Sequence, residues 1–231
     1  MKKMIKFGML ALALALVAPA MAAEDEGAIG YTPVAVSLWS PVQLPWGMGN
    51  WDVFGLDLGI FYNDVAKMYG YDFAIATTTR DDMIGLATSG LFNFANTDVY
   101  GMRVTFGGNV CNGTLYGLDV GGLGYHRKIY GADIEFLGTM QQEACGLLIG
   151  GVINLTEKES TGCTIAIGVN LAPKAYGCQI AGVFNQTEEL HGCQIGVVNF
   201  ARECPWGFQI GVVNIIMDNQ VKVLPLVNGY F

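Results

Sequence analysis

The chain has 231 residues, and its 20 Asp and Glu residues outnumber its 12 Lys and Arg residues, for a formal net charge of −8. An acidic surface repels phosphate backbones, which excludes nucleic acid as a partner. No window after residue 22 has the roughly 18 uninterrupted apolar residues of a transmembrane helix. The 32 glycines and the 52% hydrophobic residues suit either a tightly wound β-solenoid or an outer-membrane barrel.

Residues 1–22 have the pattern of an export signal. Three lysines among the first six residues precede an apolar run at residues 10–17 and an Ala-Met-Ala cleavage site at residues 20–22. We predict that these residues form a signal peptide and that the mature chain begins near Ala23. Cleavage would leave nine basic residues against 20 acidic ones.

Residues 23–54 are predicted to form an N-terminal cap segment. Residues 34–38 alternate in the manner of a strand, and the loop that follows contains Pro41 and Pro45. An open solenoid end exposes an unpaired edge that invites aggregation. A segment of this kind is expected to cover it.

A glycine recurs at intervals of 14 to 16 residues through the rest of the chain. The recurring glycines are Gly55, Gly70, Gly85, Gly101, Gly117, Gly131, Gly146, Gly162, Gly177, Gly192 and Gly207. A fixed interval of this kind is typical of stacked repeats. We therefore predict one domain of about eleven coils at residues 55–221, followed by a C-terminal cap strand at residues 222–231.

Around each glycine the residue types alternate with a period of two. The first and third residues after the glycine are apolar or aromatic, as in Cys178 and Ile180, whereas the second is mostly polar and the fourth is small. We predict that positions one and three face the core and that positions two and four form a flat outer face. An asparagine seven or eight residues after the glycine is predicted to end the strand and to form an internal amide ladder. The polar spacers that follow are predicted to be turns on the outside.

Equal repeats favour the solenoid over the barrel. An up-and-down barrel alternates short and long connections, whereas each repeat here has the same entry, exit and spacer length. Apolar alternation over about six residues is also shorter than a membrane-spanning strand requires. We predict an all-β, single-domain parallel β-solenoid, with an outer-membrane antiparallel β-barrel as the alternative.

The repeats resemble those of the bacterial surface repeat-containing protein family, whose members stack GLQIGLVN-type units after a signal peptide. The resemblance is carried by GLLIGGVIN at 146–154, GCQIAGVFN at 177–185, GCQIGVVN at 192–199 and GFQIGVVN at 207–214, with flanking segments PVQLPW and VLPLVNGYF. It implies export and a repeat scaffold at the cell envelope, and it brings no catalytic residues. The repeats at residues 117–139 depart from the pattern, because Tyr125 and Thr139 stand where asparagine is expected.

Two columns of side chains are candidates for an interaction face. The aromatic residues that precede the glycines are predicted to form a stripe that could bind glycans or an envelope protein, although stacking that stabilises the coil is the preferred explanation. The second column is a glutamine ladder at position two. The candidate residues are Tyr69, Tyr100, Tyr116, Tyr130, Tyr176 and Trp206 in the aromatic column, and Gln179, Gln194 and Gln209 in the ladder.

Two pairs of carboxylates are weak candidates for metal binding. Asp57 and Asp72, and likewise Asp119 and Asp133, are predicted to be neighbours on the outer face, where Ca²⁺ would relieve their repulsion. A solvated acidic face explains the same pattern, so we predict neither a metal nor a cofactor.

Three cysteines also share one repeat position. Cys163, Cys178 and Cys193 would lie about 4.8 Å apart, within the range for a disulfide. We predict that they are small apolar side chains, and their redox state is left open.

The sequence offers little for catalysis. His126 and His191 lack a patterned nucleophile, and we predict both on surface turns. We predict an exported, non-enzymatic repeat scaffold at the cell surface or outer membrane, with a structural or adhesin-like interaction role and an envelope protein or glycan as partner. The oligomeric state is left open.

Two alternatives remain. One is a small outer-membrane β-barrel protein. The other is a solenoid that binds or cleaves glycans, for which the sequence offers one weak cluster of charged residues. That cluster consists of Arg80, Asp81, Asp82 and Arg103.

Overall fold

A computed structural model describes residues 30–40, 42–46 and 50–230. The predicted signal peptide and Phe231 lie outside these residues. The described part of the chain is built from strands and has no α-helix, and so no helix that could cross a bilayer.

Thirteen strands follow one another along the chain. They are β1 (Gly30–Trp39), β2 (Val42–Leu44), β3 (Trp51–Gly59), β4 (Tyr62–Val65), β5 (Lys67–Thr79), β6 (Met83–Ala95), β7 (Val99–Thr105), β8 (Gly108–Gly150), β9 (Ile153–Ala166), β10 (Val169–Ala181), β11 (Phe184–Ile195), β12 (Val198–Ile216) and β13 (Val223–Gly229). Strand β8 is 43 residues long and winds through successive coils.

The strands stack in the order β2-β1-β3-β5-β6-β7-β8-β9-β10-β11-β12-β13, with β4 beside β5. Strands from β1 to β12 pair in parallel, and only β2 on β1 and β13 on β12 pair antiparallel. The chain is therefore a parallel β-solenoid of about 11 turns, as predicted. The alternative of an antiparallel barrel is wrong.

The recurring glycines lie directly above one another. Gly55 pairs with Gly70, and Gly177 pairs with Gly162 and Gly192. These glycines have φ between 115° and 150°, a region that L side chains rarely adopt. From Gly70 onward, a Cβ at each would lie 1.9–2.2 Å from the carbonyl oxygen of the preceding glycine. Only glycine fits this column, which explains its recurrence.

The asparagines and the polar spacers lie within strands. Strands β9 and β10 end at the fourth position after the glycine, and a two-residue bend such as residues 167–168 leads into the next strand. Asn170 is the second residue of β10, and the spacer residues Lys174 and Glu189 pair across β10 and β11. The prediction that asparagine ends the strand and that spacers form outside turns is therefore wrong. Spacers of equal length stack in register and form backbone hydrogen bonds with one another.

The two faces of the strand are the reverse of those predicted. Gln179 and Gln194 at position two are buried, whereas Ile195 and Ile210 at position three are exposed. Period-two alternation identifies two different faces but does not say which faces inward. Here the amides hydrogen-bond to one another along the stack, which offsets the cost of burying a polar group.

The apolar core lies in the other half of each coil. A column of side chains two residues before the glycine is buried and includes Met68, Met83, Leu115, Ile129 and Leu190. Each coil thus encloses a polar half and an apolar half.

Both ends of the stack are covered by short antiparallel strands. β2 lies within the predicted cap segment 23–54 and pairs with β1, and β13 lies within residues 222–231 and pairs with β12. Pro225 is exposed on β13, which is an edge strand, where a missing backbone N–H is tolerated.

Replacing a stacked glycine is expected to destabilise the coil. Gly177→Ala would place a Cβ 2.2 Å from the carbonyl oxygen of Gly162 at a φ of 128°. We expect the free energy of unfolding to fall by about 2–5 kcal/mol in chemical denaturation.

Gly90→Ala is the matched control, because its Cβ would meet no atom closer than 3.7 Å. A stability close to that of the wild type is expected. Equal losses in the two variants would contradict the proposed role of the glycine column.

Candidate functional site

Asparagine side chains form a ladder inside the solenoid. Asn154 Nδ2 donates to Asn170 Oδ1 at 2.9 Å, and the same contact links Asn185, Asn199 and Asn214 at 2.8–3.0 Å. The first four amides also donate to a backbone carbonyl oxygen at 2.7–2.8 Å. The predicted amide ladder is therefore present, and it is buried.

The glutamines at position two form a second internal ladder. Gln194 Nε2 donates to Gln179 Oε1 at 2.8 Å, and Gln209 Nε2 donates to Gln194 Oε1 at 2.7 Å. All three side chains are buried. The prediction that they form an outer interaction face is wrong, because their amides bond to one another inside the coil.

The asparagine ladder changes where the glycine interval shortens to 14 residues. Gly124 and Thr139 lie on the inner wall there. Glu135, at a position that is small in most repeats, reaches into the space beside Gly124, and Asn109 Nδ2 donates to Glu135 Oε1 at 3.1 Å. A Cβ on Gly124 would lie 2.9 Å from Glu135 Cγ, and one on Gly121 would lie 2.8 Å from Glu135 Oε2. In this part of the stack, a glycine (Gly124) thus stands at the position of a ladder asparagine, and in the next coil a glutamate (Glu135) stands at a position that is usually small.

A cluster of buried charged side chains lies next to Gly124 and Glu135. Arg103 Nε donates to Asp119 Oδ1 at 3.0 Å, and Arg103 Nη2 also donates to Asp119 Oδ2. His126 Nε2 lies 3.5 Å from Asp119 Oδ2 and 3.4 Å from Asp133 Oδ2. Thr139 Oγ1 donates to Asp133 Oδ2. We call Arg103, Asp119, His126, Asp133 and Glu135 the charged cluster, and all five are at most 1% exposed.

Burial and neighbouring charges shift the pKa values of His126 and Glu135. Burial lowers the pKa of the His126 imidazole, but the Asp133 and Asp119 carboxylates outweigh it and raise the pKa to about 10. Burial, with the Asp133 charge, raises the pKa of Glu135 to about 9. Paired groups of both signs thus occupy a site with no exposed member.

Several expectations about these residues are wrong. His126 was predicted on a surface turn but is fully buried, whereas His191 is half-buried on the outside and stacks on Tyr176. Asp119 and Asp133 face inward rather than outward, and both approach the imidazole of His126. The short glycine interval, with Glu135 at a small position, was the available sequence signal for this site.

Asp57 and Asp72 also face inward, contrary to prediction. They pair in register on β3 and β5 and are at most 1% exposed. Asn63 Nδ2 donates to Asp72 Oδ1 at 2.7 Å, whereas neither oxygen of Asp57 has a hydrogen-bond partner. Burial, and then the Asp72 charge, raises the pKa of Asp57 to about 8, and burial raises that of Asp72 to about 7 although the hydrogen bond from Asn63 lowers it.

The aromatic side chains before the glycines stack along the outside. Ring centroids lie 4.5 Å apart for Phe54 and Tyr69, 4.9 Å apart for Tyr100 and Tyr116, and 5.4 Å apart for Tyr116 and Tyr130, with nearly parallel planes. The column is interrupted at Ile84, Cys145 and Thr161. It continues with Tyr176, His191 and Trp206. In the stacked pairs one ring covers the face of the next, so their edges rather than their faces meet solvent.

An exposed apolar surface, here called the apolar band, adjoins this column. Phe106, Phe136 and Ile167, each at the fifth position after its glycine, are 91%, 83% and 77% exposed. A groove of about 900 Å³ lies within the band. The band's exposed members are Leu58, Ile60, Phe73, Ile75, Leu91, Phe106, Phe136, Leu137, Val152, Ile167, Val183, Ile195, Val197, Phe208, Ile210 and Val212. An exposed apolar surface of this kind is a candidate interaction site.

The other border of the aromatic column carries paired charges, here called the charged edge. Lys67 pairs with Asp81 at 3.1 Å, Lys128 and Lys158 pair with Glu143 at 2.8 Å, and Lys174 pairs with Glu189 at 2.9 Å. These residues lie three or four positions before the glycines. Around the outside of the stack, the charged edge, the aromatic column and the apolar band thus lie side by side in that order.

The charged residues proposed for glycan cleavage do not gather at one place. Arg80 pairs with Asp64 at 2.6 Å, and Asp82 accepts a hydrogen bond from Thr97. Arg103 is inside the solenoid with Asp119. The four residues therefore do not form one cluster, although Asp81 and Asp82 stay together and both accept a hydrogen bond from Thr97.

All six cysteines of the chain lie among the described residues and are free thiols. Cys163, Cys178 and Cys193 stack in register between the aromatic column and position three, and they are half-exposed rather than buried. Burial, with hydrogen bonding to Cys193, raises the pKa of the Cys178 thiol to about 12, so the thiol is protonated at neutral pH.

The buried aspartate pair is expected to make stability depend on pH. Asp57 and Asp72 hold protons in the folded chain at pH values where they ionise in the unfolded chain. Their contribution to the free energy of unfolding is therefore present in full below about pH 4, and it is lost as the pH rises to about 8. Asp57→Asn is expected to flatten the decline in unfolding free energy between pH 5 and 9 by an amount on the order of a few kcal/mol.

Urea denaturation across this range measures the effect. Asp218→Asn, at an exposed aspartate, serves as the control and should keep the wild-type slope. A wild-type slope in Asp57→Asn would contradict the assignment.

The ring column is expected to act on stability. Tyr116→Ser removes two stacked pairs and should lower the free energy of unfolding by about 1–3 kcal/mol. Trp206→Ser, at a ring that is 68% exposed, should lower it less. Equal effects of the two substitutions in thermal denaturation would contradict the importance of stacking.

Comparisons with protein-family models, with curated proteins and with solved structures gave no match to this chain. The resemblance to surface repeat-containing proteins therefore rests on the repeat residues themselves.

Proposed function

We propose that this protein is an exported, non-enzymatic scaffold of the bacterial cell envelope that attaches to the lipid surface of the outer membrane through its apolar band. The observation that carries the proposal is the order of side chains around each coil. Charged, aromatic and apolar columns follow one another and keep that order along the stack.

This order is that of a protein at a membrane interface. Tyr and Trp are enriched at the level of lipid headgroups, with apolar side chains on the lipid side and charges on the water side. The stacked rings of Tyr100, Tyr116 and Tyr130 lie between two kinds of side chain. The ion pair of Lys128 and Glu143 is on one side, and the exposed Phe106 is on the other. An amphipathic surface of this kind lies in the interface plane with its apolar face in the acyl region.

The backbone of the solenoid also suits contact with lipid. Parallel pairing joins the backbone groups of neighbouring coils, and β2 and β13 pair with the two ends. Unsatisfied backbone groups are costly in hydrocarbon, so a stack without open strands along its side meets this requirement.

Export is supported by the sequence of residues 1–22, and the envelope location by the resemblance of the repeats. The nine basic and 20 acidic residues of the mature chain favour attachment through apolar contact rather than through attraction to anionic headgroups.

An adhesin-like role through the aromatic column is less well supported. Binding a sugar by stacking requires a free ring face, and Tyr116 is covered on both faces by Tyr100 and Tyr130. Trp206, at 68% exposure, is the ring best placed to contact a further partner.

Vesicle flotation tests the lipid attachment. The chain without residues 1–22 is mixed with zwitterionic phosphatidylethanolamine and phosphatidylcholine vesicles, and it is expected to float with them in high salt. The triple substitution Phe106→Glu, Phe136→Glu and Ile167→Glu, at strongly exposed positions, should abolish flotation and keep the fold.

The matched control is Arg202→Glu with Gln220→Glu, which adds the same negative charge at exposed positions outside the apolar band. This control should float like the wild type. A wild-type chain that stays with the soluble fraction, or self-associates through the band without binding vesicles, would overturn the proposal.

A further inference from the structure

Three side chains of the charged cluster have buried polar atoms without a hydrogen-bond partner. His126, Asp133 and Glu135 each offer a ligand atom, and these atoms all lie within 4.8 Å of one another. His126 Nδ1, Asp133 Oδ1 and Glu135 Oε2 are buried and have no hydrogen-bond partner, and His126 Nε2 has only its longer contacts with the carboxylates of Asp119 and Asp133. Buried polar atoms without partners are rare in folded proteins and require an explanation.

We propose that His126, Asp133 and Glu135 bind one divalent transition-metal ion of the zinc class inside the solenoid. An imidazole nitrogen with two carboxylate oxygens is a donor set that suits Zn²⁺, whereas Ca²⁺ and Mg²⁺ take oxygen ligands. All three side chains are buried, so the ion is shielded from substrates in solution, and its role is to stabilise the fold.

The local sequence leaves room beside these ligands. Gly124 occupies the place of a ladder asparagine, and a Cβ there would lie 2.9 Å from Asp133 Oδ2 and from Glu135 Cγ. Gly121 has the same relation to Glu135 Oε2, at 2.8 Å. The two glycines therefore keep the ligand oxygens free of side-chain contact from the preceding coil.

In the protonation state that binds metal, the ligand charges favour a cation. A ligating imidazole is neutral and ligating carboxylates are ionised, so Asp119, Asp133 and Glu135 then carry three negative charges beside the single positive charge of Arg103. Both oxygens of Asp119 accept from Arg103, so Asp119 is not counted as a ligand. A divalent ion on the other two carboxylates would neutralise a group that is otherwise costly to bury.

Metal reconstitution tests the proposal. The chain without residues 1–22 and without an affinity tag is unfolded in guanidinium chloride with EDTA, and then refolded with EDTA, Zn²⁺ or Co²⁺. After dialysis, about one equivalent of Zn²⁺ or Co²⁺ per chain is expected to remain, with a higher midpoint of thermal unfolding than in EDTA. Bound Co²⁺ should show the visible absorption of a site with nitrogen and oxygen ligands.

Glu135→Gln keeps the shape of the side chain and its contact with Asn109, and it should lose the bound metal and the metal-dependent rise in the unfolding midpoint. His126→Asn should do the same. Cys178→Ser with Cys193→Ser controls for metal held by the thiols, and Glu189→Gln controls for the surface pair of Glu189 and His191.

Both controls should retain the metal. A wild-type chain that refolds equally well in EDTA and retains no metal above background would overturn the proposal. Metal retention that survives Glu135→Gln but is lost in the cysteine or Glu189 variant would also overturn it.

Discussion

The structure depends on one steric constraint, the contact of each recurring glycine with the glycine of the coil before it. A Cβ at Gly101 would lie 1.9 Å from the carbonyl oxygen of Gly85, and the same holds along the column within 0.3 Å. This contact sets the register of the stack. A shift by one residue would exchange the inner and outer faces of every strand and break both amide ladders.

The constraint also explains how a solenoid can have a polar interior and an apolar exterior. In register, each amide of Asn170, Asn185 or Gln194 meets the same amide 4.8 Å or so along the stack and bonds to it. The polar half of the interior is thereby satisfied, and Met68, Met83 and Leu190 supply the apolar half. The outer positions are therefore free to carry exposed apolar and aromatic side chains.

The repeat pattern is irregular in the middle of the stack. The 14-residue interval between Gly117 and Gly131 is accompanied by a glycine at the ladder position and a glutamate at a small position. Asn109 donates its amide hydrogen bond to Glu135 instead of to another asparagine, and the carboxylates of Asp119 and Asp133 lie close to His126. Departures from a repeat that cost burial of charge are expected where they serve a purpose. The proposed ion would join residues 126–135 across neighbouring turns.

The sequence by itself determined the repeat, the parallel stack and the aromatic column, because each follows from the glycine interval and from residue types in register. It did not determine which face is inside, since period-two alternation looks the same when inverted. Gln179, Gln194 and Gln209 were therefore predicted outside and are inside. His126 and Glu135 meet Asp133 only when successive coils are stacked, and no spacing along the chain shows that contact. Only the tertiary structure decided which face is inside, because the amide side chains form hydrogen bonds between coils and therefore make up the inner face.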